Sequence, residues 1–460
     1  MKFTKMSLVA ALLIGSSAFA LDNVKMSGDA KLFYSTNDAA HGADAGYRGI
    51  VNGNTKNDGS LFSKDNSAAD AALNLNVTAD LAKNSLVSVS AGAGYTVLST
   101  LGLENNFVSN VWGSSHTATT DTAANYANVG TYNGAKVENA NWMTEAWIAV
   151  TAGKTTLKLG RMELDTPLAF TETWSVEKNT FEAAVVINQD IPDTTLVGAW
   201  VGNGNGNENL VDANSTVNTG AFLQSNVQQL NLATGAVVNG GGKFGTYGKD
   251  GAYAIGAINN SFKPVTAQAW YYNVLNVAKA YWLQADLNME GILAGAQYCD
   301  MKADVAGAKS DNVYALMLGY EMKDVATVKA SYSKVNKDGS IGGAGFNTAT
   351  STGASKLYTE AWWNYGYVTR QDATSYALSA EANAAGVDLL AQYTHVKDKN
   401  TAPTADVKMD EFTLTAGKSF GPLDTTLAYV YTKADDKNIK NGATKGSAFN
   451  TIQAYLTLNF

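Results

Sequence analysis

Seven ionisable side chains crowd positions 161 to 182: Arg161, Glu163, Asp165, Glu172, Glu177, Lys178 and Glu182. Two are basic and five acidic, so the stretch carries a formal charge of −3. No nucleophile motif accompanies them, so the chemistry open to them is electrostatic. Around a narrow aqueous passage, such groups set which ions pass. On an ordinary surface they would be solvated, or paired with Arg161 and Lys178. Two further acidic groups, Asp304 with Asp311 and Asp406 with Asp410 and Glu411, offer oxygen ligands of the kind calcium takes, without the spacing of an EF-hand. His41, His116 and His395 are far apart and form no HExxH motif or i,i+4 pair, which argues against a transition-metal or triad role. The glycine runs at 202–206 and at Gly240-Gly241-Gly242-Lys243 lack the strand-then-helix setting and spacing of a phosphate loop. No catalytic residue and no cofactor is predicted, apart from a possible structural calcium.

The elements that would position these charges are strands. The last eleven residues alternate strictly. Asn450, Ile452, Ala454, Leu456, Leu458 and Phe460 share one parity, and Thr451, Gln453, Tyr455, Thr457 and Asn459 the other. A period of two, oily on one side and polar on the other, is a strand between two media. An edge strand of a soluble sandwich would show the same pattern. Similar segments recur from Val24–Tyr34 onward, for example Leu86–Val97, Ala280–Asn288 and Val325–Val335, giving eighteen strands. Their connections alternate between short and long. Short turns fall near 79–84, 152–154, 190–193, 261–264, 289–290, 322–324, 384–386 and 419–422. Long loops fall near 35–70, 98–141, 161–180, 202–250, 336–373, 397–410 and 434–448, with shorter members at 273–279 and 300–311 keeping the alternation in step. Sorting by length onto two rims is a property of transmembrane barrels, whose short turns are periplasmic. A soluble sandwich has no reason for it. Eighteen strands also leave a lumen too wide for side chains to fill, so water enters.

Composition agrees. The 460 residues include 43 Gly and only 5 Pro, and Tyr outnumbers Phe by 22 to 15. Such usage suits many strands joined by polar loops. Beyond the N-terminal region, no run of 18 apolar residues exists, which excludes membrane-spanning helices but not a barrel. Cys299 is the single cysteine, so no intrachain disulfide can form. The formal charge is −8, which disfavours nucleic acid as a partner. Lys2 and Lys5, the apolar run Met6–Ile14 and the small residues Ala18 and Ala20 predict a signal peptide over 1–20, with the barrel domain over 21–460. Tyr34, Tyr95, Trp200, Tyr281, Tyr332, Tyr393, Tyr429 and Tyr431, near strand ends, are candidates for aromatic girdles.

The run Leu159-Gly160-Arg161-Met162-Glu163-Leu164-Asp165-Thr166-Pro167-Leu168 resembles the third-loop entrance of the OprD-like outer-membrane porins. Asn179-Thr180-Phe181-Glu182-Ala183 continues the resemblance, as does Lys356-Leu357-Tyr358-Thr359-Glu360 with Tyr365. Loop layout and acidic composition most resemble the major porins of Campylobacter and its relatives. The resemblance implies an all-β, eighteen-stranded barrel with its third loop, about 161–182, folded into the lumen. It also implies a homotrimer in the Gram-negative outer membrane, contacting lipid and lipopolysaccharide, whose terminal Phe460 strand is read by the barrel-assembly machinery. Some relatives are calcium-associated. A lumenal arginine ladder is expected in channels for basic amino acids, but only Arg48, Arg161 and Arg370 occur. The implied function is general diffusion of small hydrophilic solutes and ions with a mild cation preference. The alternatives are a surface adhesin barrel, whose long loops carry the function, and an outer-membrane barrel enzyme.

Overall fold

The structure is a computed structural model that describes residues 22–38, 60–62, 67–99, 139–205, 229–231, 236–238, 244–246, 251–349, 354–399, 407–434 and 447–460. The expected signal peptide, His41, Arg48, His116, Gly206, the 240–243 run and Asp406 lie outside the described residues.

Eighteen long strands follow one another in chain order. They are Asp22–Asn37, Ser67–Lys83, Val87–Ser99, Asn139–Ala152, Thr155–Met162, Phe181–Asn188, Thr194–Gly204, Ala252–Asn259 and Val265–Val274, then Ala278–Met289, Ile292–Ala303, Asp311–Met322, Ala326–Val335, Thr374–Ala384, Val387–Asp398, Val407–Phe420, Leu423–Ala434 and Ser447–Asn459. Each pairs antiparallel with its neighbours in sequence, and the last pairs with the first, so the sheet closes on itself. All eight expected short turns are present on one rim, the first displaced from 79–84 to 84–86 because the second strand runs on to Lys83. Four are two-residue hairpins, and two of these, Glu290-Gly291 (φ 52° and 85°) and Ala385-Gly386 (φ 52° and 72°), have positive φ at both positions. Positive φ at both positions matches the right-handed twist of the flanking strands.

The alternation read from sequence separates two environments. Leu316, Leu318, Leu378, Leu283 and Leu427 are about half or more exposed on the outer wall. Residues of the opposite phase, such as Ala315, Ser333, Thr413 and Gln453, are fully buried on the inner side. Outward tyrosines form a lateral row. The centroid separations are 5.1 Å for Tyr271–Tyr281, 6.0 Å for Tyr314–Tyr332 and 5.2 Å for Tyr332–Tyr376. Rings with a wet hydroxyl and an apolar body suit the edge of a hydrocarbon layer. The hydrophobic core is therefore not between sheets. It lies inside the barrel, where Ala344, Phe346, Leu357, Tyr367 and Val368 of the long connection after Val335 pack on the inner wall at Trp282, Cys299 and Val313.

Closure depends on the two ends. Asp29–Asn37 lies in register with Thr451–Asn459. One step beyond, Gly28 and Phe460 exchange backbone hydrogen bonds of 2.8 and 3.0 Å. The Phe460 ring rests on Gly28, where any Cβ would strike both that ring and the Asn74 carbonyl. Gly28→Leu should therefore destabilise the closed barrel by roughly 1–3 kcal/mol, the usual range for overpacking. Removal of Phe460 should lower assembly in cells while leaving refolding in detergent intact. Heat-modifiable gel migration of refolded protein and quantification of membrane-inserted protein check the two outcomes.

Candidate functional site

The connection between Met162 and Phe181 is a compact double turn that crosses the lumen. Thr171 N–H bonds the Leu164 carbonyl at 2.8 Å, and the Thr166 hydroxyl bonds the Ala169 carbonyl at 2.8 Å, closing the first turn. A second hairpin pairs Thr173 with Lys178 and Trp174 with Glu177, and Glu172 N–H bonds the Asn179 side chain at 2.7 Å. Buried apolar residues fix its two extremities. Leu168 packs with Tyr272 of the wall, and Val176 enters a separate cluster of Phe33, Leu98 and Trp142.

A second connection also turns inward, between Val335 and Thr374. The expectation from sequence groups it with the other long loops, and its inward path is a structural finding. Asn347 accepts from Phe170 N–H at 3.1 Å, donates to the Phe170 carbonyl at 2.8 Å and donates to Glu172 at 2.7 Å. Thr348 N–H and hydroxyl both reach the Leu168 carbonyl, at 2.8 and 2.6 Å. The two inward connections are thus one hydrogen-bonded unit. The second is also tied to opposite walls. Tyr358 donates its hydroxyl to Asp286, and Gln297 donates to the Lys356 carbonyl at 2.8 Å. Across the lumen, buried Glu411 accepts the backbone N–H groups of Trp362, Trp363 and Asn364 at 2.6–3.2 Å. Near the first attachment, Asp311 is fully buried and accepts the N–H groups of Ile341, Gly342 and Gly343 at 2.7–3.1 Å.

The seven charges marked in sequence do not form one ring. Arg161 and Glu182 face each other across the ladder, in the phase of the outward residues Leu157, Leu159 and Val186, and pair at 2.7 Å. Glu163 pairs with Lys178, which also lies 3.8 Å from Glu145 on the inner wall. Asp165 is exposed and pairs with Lys356 of the second inward connection. Glu172 and Glu177 are buried, the first bonded to Asn347 and the second to the backbone N–H of Lys178. Burial pushes the Glu177 carboxyl above the usual carboxylate range, against the pull of the Lys178 N–H, Thr96 and Lys31. The formal −3 of the third loop is therefore held mostly in pairs or away from water.

The acidic groups considered for calcium are engaged in ways that suit an anion. Asp304 pairs with Lys279 at 3.2 Å, and Asp410 meets His395 and Tyr393 at 2.8 and 2.6 Å. Backbone N–H groups surround Asp311 and Glu411, and such donors repel a cation. Among the described residues, no three acidic or histidine side chains converge. The described members of these groups, Asp304, Asp311, Asp410 and Glu411, do not fit a calcium site.

Beneath the two inward connections, toward the short-turn rim, lies an open cavity of about 1250 Å³. Its wall carries Glu321, Asp324, Glu381 and Asp388 against one ammonium, Lys329, which pairs with Glu381 at 3.0 Å. These strand and turn residues were not singled out in the sequence. Their inward phase was readable from Thr327, Lys329, Ser331 and Ser333, but their convergence required the closed sheet.

Three solved structures share this architecture. Pseudomonas aeruginosa OccK1 (OpdK) matches with a TM-score of 0.65 at 13% identity, over 96% of this chain and 99% of its own. Acinetobacter baumannii OccAB1 matches with a TM-score of 0.66 at 13% identity, over 96% and 97%. P. aeruginosa OpdK with vanillate matches with a TM-score of 0.64 at 12% identity, over 96% and 99%. The likeness establishes the fold of these barrels. No protein-family model and no curated protein sequence matches the chain.

Two outcomes follow from the geometry. Asn347→Ala removes three hydrogen bonds to the third loop. At about 1 kcal/mol each, roughly 2–3 kcal/mol of docking energy is lost. Limited trypsin digestion should then cut at Lys178, where the parent resists. The second concerns Glu360, whose carboxylate is enclosed and accepts from Ser355 N–H at 2.7 Å, Ala361 N–H at 3.0 Å and Gly366 N–H at 3.2 Å. Burial, outweighing these donors, raises it from 4.5 to about 7. Between those values the folded loop keeps a proton that the unfolded chain has released, so stability is full below about 4.5 and falls as pH rises to about 7. Thermal unfolding in micelles across this window should show that fall, and Glu360→Gln should remove it whatever its absolute Tm.

Proposed function

We propose that this chain is an outer-membrane porin of the OprD-like kind, a water-filled channel for small hydrophilic solutes and ions. The observation that carries the proposal is the polar, charged cavity of about 1250 Å³ inside a closed sheet whose outer wall is apolar. A closed sheet leaves no unpaired edge in lipid, and a polar inner phase keeps water in the lumen. The short-turn rim then faces the periplasm and the inward connections lie toward the outside. Scarce arginine and the acidic balance favour a general channel like the Campylobacter-type porins over one dedicated to a single solute. Among the described residues no side chains are arranged as a barrel enzyme would need. His395, the one histidine among the described residues, lies in the outward phase beside Tyr376 and pairs with Asp410.

The channel prefers cations mildly. The third-loop carboxylates are largely paired or buried, so the preference comes from the cavity wall, where four carboxylates face one ammonium. A unit charge about 4 Å from an ion acts with roughly 1 kcal/mol even in bulk water. Salt screens it beyond about 10 Å at 0.1 M. Selectivity of several-fold follows, falling with salt. Planar-bilayer recording should show stable open channels, and reversal potentials in a salt gradient should have the cation sign. The triple variant Glu321→Gln, Glu381→Gln, Asp388→Asn should shift them toward anions. An electrically silent barrel would remove the channel proposal, and an unshifted triple variant would remove the wall as filter.

A further inference from the structure

Where the hairpin tip of the third loop meets the second inward connection, a separate cavity of about 380 Å³ opens. It is lined by Trp362, Trp363, Tyr365, Thr426 and Tyr455, with Thr173 and Ser175 at the hairpin tip. The volume is that of a small-molecule pocket. Among its described lining residues no side chain is charged. The nearest cation along the adjacent strand, Lys31, pairs with Asp29 at 3.4 Å.

The rings are braced. Phe33, almost fully buried, stacks on Trp363 at 6.5 Å and tilts against Tyr455 at 4.9 Å. The backbone of Trp362 and Trp363 is pinned by Glu411 from the wall. Trp362 and Thr426 also line the acidic cavity below, so the two cavities adjoin. A solute leaving the slot meets Glu321, Glu381 and Asp388 next.

We propose that this slot is a binding step for organic cations whose ammonium is methylated or attached to an aromatic ring. The negative face of a Trp or Tyr ring attracts a cation within about 6 Å, and several rings around one site favour a bulky, weakly hydrated ammonium over a small hydrated ion. The tip hydroxyls accept from an N–H where one is present. Among the described residues, an anion of the same size finds no unpaired ammonium lining the slot and a repelling wall below. The proposal deepens the channel reading by naming a solute class, and it rests on that reading only for transport, not for binding.

Calorimetry on the full barrel in micelles, with benzyltrimethylammonium and benzoate as probes, tests it. Saturable binding of the cation, at least ten-fold tighter than benzoate, is expected. Trp362→Leu with Tyr365→Leu should weaken it at least ten-fold, while Trp362→Phe should keep it within about three-fold. Tyr365→Leu alone, which spares the Trp363–Phe33 contact, should already weaken it. Equal binding of benzoate, or undiminished binding after loss of the two rings, overturns the slot. Single-channel recording with the same cation should show concentration-dependent interruptions that the double variant lacks. Conductance without calorimetric binding sinks the slot and spares the channel, whereas binding by a silent barrel does the reverse.

Discussion

The whole structure depends on one hydrogen-bonded seam, between the first strand at Asp29–Asn37 and the last at Thr451–Asn459. In a hydrocarbon layer an unpaired backbone group costs several kcal/mol, and no water is present to take it up. Seventeen ladders between chain neighbours would still leave two bare edges, and the eighteenth removes both. Closure also divides the medium into an outside and an inside. Without it, the alternation of apolar and polar residues would have no meaning, and neither inward connection would have a wall to reach.

Inside, the inward unit is a joint product of two chain segments that have little fold of their own. The third loop contributes two short turns, and the second connection contributes few regular elements. Their order comes from each other and from the wall. Polar side chains with several hydrogen bonds, such as Asn347 and Glu411, hold backbone groups that would otherwise be stranded away from water. Charge is handled in the same way. Glu163 with Lys178, Asp165 with Lys356 and Arg161 with Glu182 leave the loop close to neutral at short range. The unbalanced carboxylates stand on the rigid strands and turns below.

Strand phase, strand number and turn positions were legible because each is local, set by neighbours two residues apart or by a short turn. The site was legible only in part. The charges at 161–182 were visible, but their partners were not, since Lys356 lies 191 residues from Asp165. Arg161 keeps the outward phase because the strand Thr155–Met162 runs through Gly160, at φ 120°, without a register shift, and glycine alone left that continuity unreadable. The inward path of the connection after Val335 was hidden by its Gly, Ser, Asn and Thr content, which reads as solvated loop. One signal could have exposed it. Trp362, Trp363, Tyr365 and Tyr367 within six positions are too much aromatic surface to leave in water, and Tyr367 is fully buried.

The contacts that hold the inward unit are all distant in sequence. Asn347 and Thr348 meet the third loop across separations of 177 and 180 residues, and Glu411 meets Trp362 across 49. Loop closure over such spans is unfavourable until both partners are already positioned. The strands that carry Tyr272, Asp286 and Glu411 must therefore stand in their final order before the interior can fill. The interior is thus conditional on the closed wall: a substitution that opens the seam between Asp29–Asn37 and Thr451–Asn459 also removes the frame on which Asn347, Thr348 and Glu411 meet their partners.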